Sequence, residues 1–264
     1  MKLVNSANVS VFAGLVQRGA GRKLVKLTVR YGLIDRANDG LCLVDTGFGT
    51  EVTEGPRSIA LKLYHSLLRP NLIPGQTSTS LLPTLGARAT DVRVVVVTHF
   101  HADHISSLRA FPKARIIGCG EAARAILAAT STRALHDGIF KELIPSDIAR
   151  RMAPLEDLAR IKSGTPLGDG YDLFGDGSYL AMALPGHALG HFGIFWKDQA
   201  GPVLYATDAA WTMKALTLDQ TPWISSKVVF HDRTAGQQTQ AELREFQRCG
   251  GRIHLCHDIE EASS

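Results

Sequence analysis

The stretch VRVVVVTHFHADH, residues 92–104, decides how this chain folds and which chemistry it carries. Its first half is a run of β-branched apolar residues interrupted only by Arg93, which predicts a buried strand. Its second half places three imidazoles and a carboxylate within six residues, at His99, His101, Asp103 and His104. Imidazole and carboxylate groups are ligands of Zn²⁺, Mn²⁺ and Fe²⁺. The stretch therefore predicts a metal site at the end of a buried strand.

The residues that follow predict a strand-to-helix loop. Apolar residues at Ile105, Leu108 and Phe111 have helical spacing, and Pro112 ends the pattern. Asp103 then lies near the helix N-terminus, where the helix dipole favours a carboxylate. On an extended segment His99 and His101 point the same way, while Asp103 and the next residue can turn toward a neighbouring position. This geometry can serve two metal ions as well as one.

Composition is that of a soluble globular protein. The chain has 264 residues, 45% of them hydrophobic and 20% charged, and its net charge is +4. Because the basic residues are scattered, we expect no nucleic-acid partner. No apolar run reaches the roughly 18 residues of a membrane helix and no signal peptide is visible, so we expect no membrane partner and a cytoplasmic location. Four cysteines without a CxxC pair predict buried, reduced thiols.

Strand and helix patterns alternate in two batches, which predicts a layered α/β domain. The predicted strands cover 24–34, 41–45, 92–97, 116–117, 192–197, 202–206 and 252–256, with a hairpin over 171–184 that turns at Gly175-Asp176-Gly177. The predicted helices cover 56–69, 105–111, 120–135 and 235–248. We expect an exposed loop over 70–83 and short helices and loops over 136–170.

Three later positions complete a set of candidate ligands. His187 follows a predicted strand in a Pro185-Gly186-His187 setting, Asp208 ends the strand over 202–206, and His257 ends the last strand. Ligand-type residues at the ends of several strands converge on one edge of a sheet, where active sites of layered folds are commonly built.

Taken together, these pieces make the chain resemble the metallo-β-lactamase superfamily. The matching residues are Asp45-Thr46-Gly47, the motif from His99 to His104, His187, Asp208 and His257, in the expected order over residues 42–258. The resemblance implies a four-layer αβ/βα sandwich with the metals at its rim. We expect a single domain over 1–264, with inserted segments near 51–85 and 136–170 that frame the pocket.

The resemblance also implies a ligand set, carried over residue by residue. One ion would have His99, His101 and His187, the other would have Asp103, His104 and His257, and Asp208 would bridge them. The implied cofactors are two divalent metal ions, zinc first, with manganese or iron as alternatives.

A metal-bridging hydroxide would attack the substrate carbonyl, and Asp103 and Asp208 are the predicted catalytic residues, with Asp103 relaying a proton. Asp45 and His191 are expected to orient ligands. The alternatives are that Asp45 caps the turn before Gly47 and that His191 is structural.

Within the superfamily, the resemblance is greatest to the N-acyl homoserine lactonases. The Pro-Gly-His-x-x-Gly-His stretch over 185–191, the chain length, the Asp208-Ala209 context and the helix before His257 are similar. True β-lactamases lack the bridging Asp, and glyoxalase II enzymes have a helical extension that we expect to be absent here. One position departs: Trp211 stands where many such lactonases have a Tyr that contacts the lactone carbonyl. An indole N–H donates a hydrogen bond but is no acid like a phenol, which bears on lactone specificity more than on hydrolysis.

The sequence thus predicts a dinuclear metal-dependent hydrolase that opens a lactone or cleaves a similar ester, with Trp211 in contact with the substrate. Alternatives are a thioester hydrolase of the same fold, a mononuclear iron enzyme resembling the persulfide dioxygenases, and a silent binding protein. The expected partner is a small-molecule ester or lactone, and a homodimer is left open. Candidates for an apolar pocket wall, which could equally be packing residues, are Phe48, Ile139, Phe140, Trp211 and Trp223.

Overall fold

The computed structural model describes residues 1–221 and 231–259. The chain divides into two compact units: residues 1–10 with 26–154 form the first, and residues 11–25 with those from 155 onward form the second. Each unit combines a mixed β-sheet with helices, so the predicted α/β class is confirmed. That the whole chain is one domain with inserted segments stays a prediction.

The sheet of the first unit has seven strands among the described residues, in the order β4-β1-β2-β3-β5-β6-β7. They are β1 Lys2–Phe12, β2 Leu24–Asp35, β3 Leu41–Val44, β4 Asn71–Leu72, β5 Val92–Val97, β6 Arg115–Gly118 and β7 Met152–Pro154. β3, β5, β6 and β7 run parallel, and β5 is buried over most of its length, as its continuous apolar sequence predicts. The α-helices of this unit are Thr50–Thr53, Ile59–Leu68, Ser78–Leu81, Ala102–Ile105, Gly120–Ala128, Ser131–His136 and Ile148–Arg151.

The sheet of the second unit has six strands in the described part, in the order β13-β12-β11-β10-β9-β8. They are β8 Arg160–Lys162, β9 Asp169–Asp172, β10 Tyr179–Ala183, β11 Phe192–Asp198, β12 Gly201–Thr207 and β13 Arg252–Leu255. Only the β12–β13 pair among them is parallel, and the predicted hairpin is the antiparallel β9–β10 pair. The α-helices here are Ala13–Val16, Met213–Thr217 and Arg233–Arg248, and the last of these buries Leu243 and Phe246 in a cluster with residues of this sheet.

Several predicted helices have different bounds because capping side chains decide where a helix begins. The helix predicted over 56–69 begins at Ile59, since the Ser58 hydroxyl accepts from the Leu61 N–H. The helix predicted over 120–135 is two helices, with Thr130 capping the second. Over 105–111 the structure has no continuous helix but the helix Ala102–Ile105 followed by a 3-10 turn, Leu108–Ala110.

The prediction of an exposed loop over 70–83 is wrong. β4 pairs with β1, so that Leu72 lies opposite Ala7, and the helix Ser78–Leu81 follows. Leu81 and Leu82 are buried. β4 pairs with a strand that lies more than sixty positions earlier in the chain, and the Thr77 hydroxyl accepts from the Ser80 N–H. These hydrogen bonds satisfy backbone groups of a segment whose Pro, Ser and Thr content resembles that of a loop.

The structure also bears on the predicted burial of the cysteines and on membrane-spanning helices. Cys42 and Cys256 are buried thiols as predicted, whereas Cys249 is exposed on the helix end. No helix within residues 1–221 and 231–259 has the length and apolar character needed to cross a membrane.

Replacing Gly47 by Ala should destabilise the fold. Gly47 has φ +64°, and a Cβ there would lie 2.5 Å from the buried Ser6 Oγ. Backbone strain of about 1–2 kcal/mol and overpacking of about 1–3 kcal/mol should lower the free energy of unfolding by about 2–5 kcal/mol. Urea unfolding measures this loss. Gly55→Ala is the control, because Gly55 has φ +71° and open space around it. Equal losses in both variants would show that the contact with Ser6 is not felt.

Candidate metal centre

The loop after β5 gathers four ligand-type side chains in the first unit. β5 ends at Val97, and after four intervening residues the chain enters the helix Ala102–Ile105, with Asp103 in its first turn as predicted. His99, Asp103 and His104 are buried and His101 is half-buried. A buried parallel strand therefore delivers its C-terminal end directly into a short, enclosed loop.

Two pairs of candidate ligand atoms lie close together in this loop. His99 Nε2 lies 3.0 Å from His101 Nδ1, and His104 Nε2 lies 3.6 Å from Asp103 Oδ2. Two nitrogens that share one zinc at about 2.0–2.1 Å are separated by about 2.9 Å at a right angle and by about 3.4 Å at the tetrahedral angle. The spacing of the first pair therefore suits two ligands of one ion. The division of ligands between two ions that the resemblance implies stays a prediction.

Asp45 fixes the orientation of His104. Asp45 follows β3, whose parallel pairing with β5 brings it beside Thr98. The Asp45 carboxylate accepts from the Thr98 N–H, the Thr98 hydroxyl and His104 Nδ1, each at 2.8 Å. Since Nδ1 donates to the carboxylate, Nε2 is the nitrogen turned toward Asp103, which is the arrangement that metal-binding histidines commonly have. Burial raises the pKa of the Asp45 carboxyl, while His104 and Thr98 act to lower it.

The second unit gathers two candidate histidine ligands around one candidate carboxylate. His187 lies in the loop after β10, Asp208 follows β12, His257 lies just beyond β13, and all three are buried. Asp208 Oδ2 is 3.4 Å from His187 Nε2 and 3.2 Å from His257 Nε2. Both distances lie in the range expected for neighbouring ligands of an ion, and Asp208 lies between the two histidines.

His191 contacts the residue before Asp208. Its Nδ1 donates to the Leu184 carbonyl at 2.7 Å, so its Nε2, 2.5 Å from the Thr207 Oγ1, accepts from that hydroxyl. Thr207 has φ +47°, a left-handed conformation that is rare for a β-branched residue. His191 thus holds a strained residue at the point where the chain turns to present Asp208.

The residues predicted to contact the substrate or to line its pocket differ in their burial and contacts. Trp211 is half-buried, and its indole Nε1 is buried without a hydrogen-bond partner within the described ranges. Phe48 and Phe140 are buried and pack against Tyr64, with ring centroids 6.3 and 5.0 Å away, so these two form a packed aromatic cluster. Trp223 lies outside the described residues.

Sequence reasoning missed Thr98 and Gly138. Thr98 supplies two of the three donors to Asp45, and the only signal was its place at the end of the apolar run. Gly138 has φ +73°, and a Cβ there would lie 3.3 Å from His101 Nε2, so the loop that contains it touches the histidine ring. The Asp137-Gly138 turn dipeptide was visible in the sequence, but its neighbour in space was not.

The donor sets fit a divalent metal. Each unit offers buried imidazole nitrogens together with a carboxylate oxygen, which is the ligand chemistry of Zn²⁺, Mn²⁺ and Fe²⁺. His104 also has the carboxylate partner that usually orients a metal-bound imidazole.

Comparisons with known proteins agree with this fold and chemistry. Residues 26–246 match the metallo-beta-lactamase superfamily. A probable metallo-hydrolase of Mycobacterium tuberculosis is 30% identical over 82% of this chain and 69% of its own length. The N-acyl homoserine lactonase AttM of Azorhizobium caulinodans is 26% identical over 83% of this chain and 78% of its own. The structure of a B. thuringiensis AiiA mutant with N-decanoyl-L-homoserine bound superimposes with a TM-score of 0.72 at 20% identity, covering 98% of this chain and 92% of that one.

These matches define a metallo-hydrolase of lactonase-like fold. The chain belongs to the metallo-β-lactamase superfamily, and the fold that the sequence predicted is confirmed. It is a metal-dependent hydrolase.

Replacing Asp45 by Asn should weaken metal binding without touching a proposed ligand. The amide keeps the shape of the carboxylate but loses its charge and one acceptor oxygen, so His104 is held less firmly. We expect about 10–100-fold weaker zinc affinity, measured by competition with a chelating dye. Asp91→Asn, at a surface ion pair, is the control and should bind as the wild type does. Unchanged affinity in Asp45→Asn would contradict an orienting role.

Proposed function

We propose that this protein is a dinuclear metal-dependent hydrolase that opens a lactone or cleaves a similar ester. The observation that carries the proposal is the Asp208 carboxylate, one oxygen of which lies within 3.4 Å of both His187 and His257. A carboxylate between two imidazoles is the arrangement expected of a bridging ligand, and true β-lactamases of this superfamily lack it. The paired donors in the loop after β5 supply the remaining ligands.

The proposed assignment follows the order of ligands in the superfamily. His99, His101 and His187 would hold one ion, Asp103, His104 and His257 would hold the other, and Asp208 would contribute to both. Zinc is the first choice because nitrogen donors dominate the set, with manganese and iron as alternatives. A mononuclear iron centre uses the same motif after β5, so metal content separates the two classes of enzyme.

The protein's own residues orient the ligands and handle the proton. A bound pair of such ions supplies an activated water and polarises the substrate carbonyl. Asp45 keeps His104 in one tautomer, and His191 keeps Thr207, and hence Asp208, in place. Asp103 is the carboxylate that we assign to proton relay toward the leaving oxygen, because it lies beside His104 in the same loop.

The substrate class rests on the relatives and on Trp211. Curated relatives include N-acyl homoserine lactonases, and one solved structure holds N-hexanoyl-L-homoserine at its catalytic metal centre. Here the indole Nε1 of Trp211 is a buried donor, and within the described residues it lacks an acceptor. A carbonyl oxygen of a lactone or ester is an acceptor of the right kind. The cytoplasmic location, the homodimer and the absence of a nucleic-acid partner remain predictions.

Asp208→Ala should abolish dinuclear binding and most activity. We expect about two ions per wild-type chain and, in the variant, fewer ions and at least a 100-fold lower kcat/KM on the best substrate, since one shared ligand is lost. Elemental analysis and a panel of lactones, esters and thioesters measure both. Asp169→Ala, at an exposed strand residue, is the control. One iron per chain with thiol-dependent oxygen uptake would contradict the proposal. A preference for thioesters would indicate a thioester hydrolase of the same fold instead of a lactonase or esterase.

Trp211→Phe should lower kcat/KM by about 3–10-fold on substrates with a carbonyl acceptor, which corresponds to about 0.5–1.5 kcal/mol for one neutral hydrogen bond. The ring is kept and only the N–H donor is lost, so metal content should stay unchanged. Trp196→Phe is the matched control, because Trp196 packs against Tyr179 on the second sheet. Steady-state kinetics with both variants checks this. Equal kinetics in Trp211→Phe and wild type would remove Trp211 from the substrate site.

A further inference from the structure

The helix Arg233–Arg248 carries two buried polar side chains on its sheet-facing side. Thr239 is 2% exposed and Gln240 is 4% exposed, whereas Leu243 and Phe246 on the same helix are buried apolar residues. A buried hydroxyl or amide is costly unless it forms hydrogen bonds. The partners of these two side chains therefore show what the polar positions are for.

Thr239 reaches the loop that presents His187. Its hydroxyl donates to the Pro185 carbonyl at 2.7 Å. The next two carbonyls of the loop, of Gly186 and His187, accept from the Asp232 and His231 N–H groups at 2.9 and 3.0 Å. Three consecutive carbonyls of residues 185–187 are thus bonded to the helix or to the two residues before it.

The same loop is pressed against the helix backbone. Gly186 has φ +130°, and a Cβ there would lie 2.3 Å from the Gly236 Cα and 2.4 Å from its nitrogen. The two backbones are in contact at this point, one turn before Thr239. Because the loop and the helix cannot come closer together, their contact and the three hydrogen bonds fix the position of the loop along the helix axis.

Gln240 reaches the loop that presents Asp208. Its Nε2 donates to the Ala209 carbonyl at 2.9 Å, and its Oε1 accepts from the Thr221 hydroxyl at 2.9 Å. The second bond holds the amide in the orientation that the first one needs. Ala209 directly follows Asp208, so the helix touches both ligand-bearing loops through neighbouring residues.

We propose that Thr239 and Gln240 are positioning residues that set the spacing between His187 and Asp208. The loops of these two residues follow β10 and β12, which are separated in the sheet by β11. Two adjacent side chains on one helix span that gap and tie both loops to a single rigid element. Metal sites need their ligands placed to within about 0.5 Å, and such support decides affinity. This inference rests on the proposed metal-binding function.

The test removes each hydrogen bond with little change in shape. Thr239→Val deletes the hydroxyl, Thr239→Ser keeps it, and Gln240→Met deletes the amide. Gln238→Met is the matched control, because Gln238 is exposed and bonds only Glu242 among the described contacts. The readouts are zinc affinity by chelator competition, the visible spectrum of the cobalt-loaded protein, and urea unfolding of the metal-free protein.

We expect about 10–100-fold weaker zinc affinity and an altered cobalt spectrum in Thr239→Val and Gln240→Met. Thr239→Ser and Gln238→Met should match the wild type in both. If either deletion variant fails to fold, Gln240→Asn, which keeps the amide but shortens its reach, gives the same comparison. Wild-type affinity and spectrum in the deletion variants, or equal weakening in Thr239→Ser, overturns the inference. A wild-type protein that binds no metal instead overturns the proposed function.

Discussion

The hydrogen bond between Asp45 and His104 is the interaction on which the loop after β5 depends. A fully buried carboxylate is stable only when it is well bonded, and this one has three donors, all from residues of that loop. One side chain thereby joins the end of β3, the end of β5 and the helix Ala102–Ile105. Asp45 itself adopts φ +60°, which Asp tolerates better than most residues. Strain at one residue is offset by three bonds to its carboxylate.

In the second unit, different groups hold a carboxylate in place beside a strained residue. Asp208 is presented by Thr207, a left-handed residue held by His191, and by Ala209, held by Gln240. In both units a residue with positive φ lies at or next to a carboxylate on a strand end, and an imidazole stabilises it. Backbone strain of this kind persists only where the surroundings over-determine it. The backbone strain at Asp45 and Thr207 is therefore tolerated at the two points where a strand end positions a carboxylate.

Much of this could be predicted from local sequence. The apolar run before His99 predicted β5, and the order of motifs predicted the fold, because each of these signals is carried by a short run of neighbouring residues. The loop predicted over 70–83 failed because the pairing of Leu72 with Ala7 is not local. Thr239 and Gln240 were invisible for a similar reason: their partners lie 54 and 31 positions away. A polar residue on an apolar helix face gives no sign of which carbonyl it meets.

Trp211 limits the chemistry that the proposed function can use. An indole N–H donates a hydrogen bond but does not release its proton near neutral pH, so in the proposed site Trp211 would bind an acceptor and would not act as an acid. In the proposed mechanism the proton for a leaving oxygen would then come from Asp103, the carboxylate beside His104. The exchange of a phenol for an indole at a position that contacts the substrate carbonyl therefore bears on how a substrate is bound, and it leaves the transfer of the proton to the carboxylate.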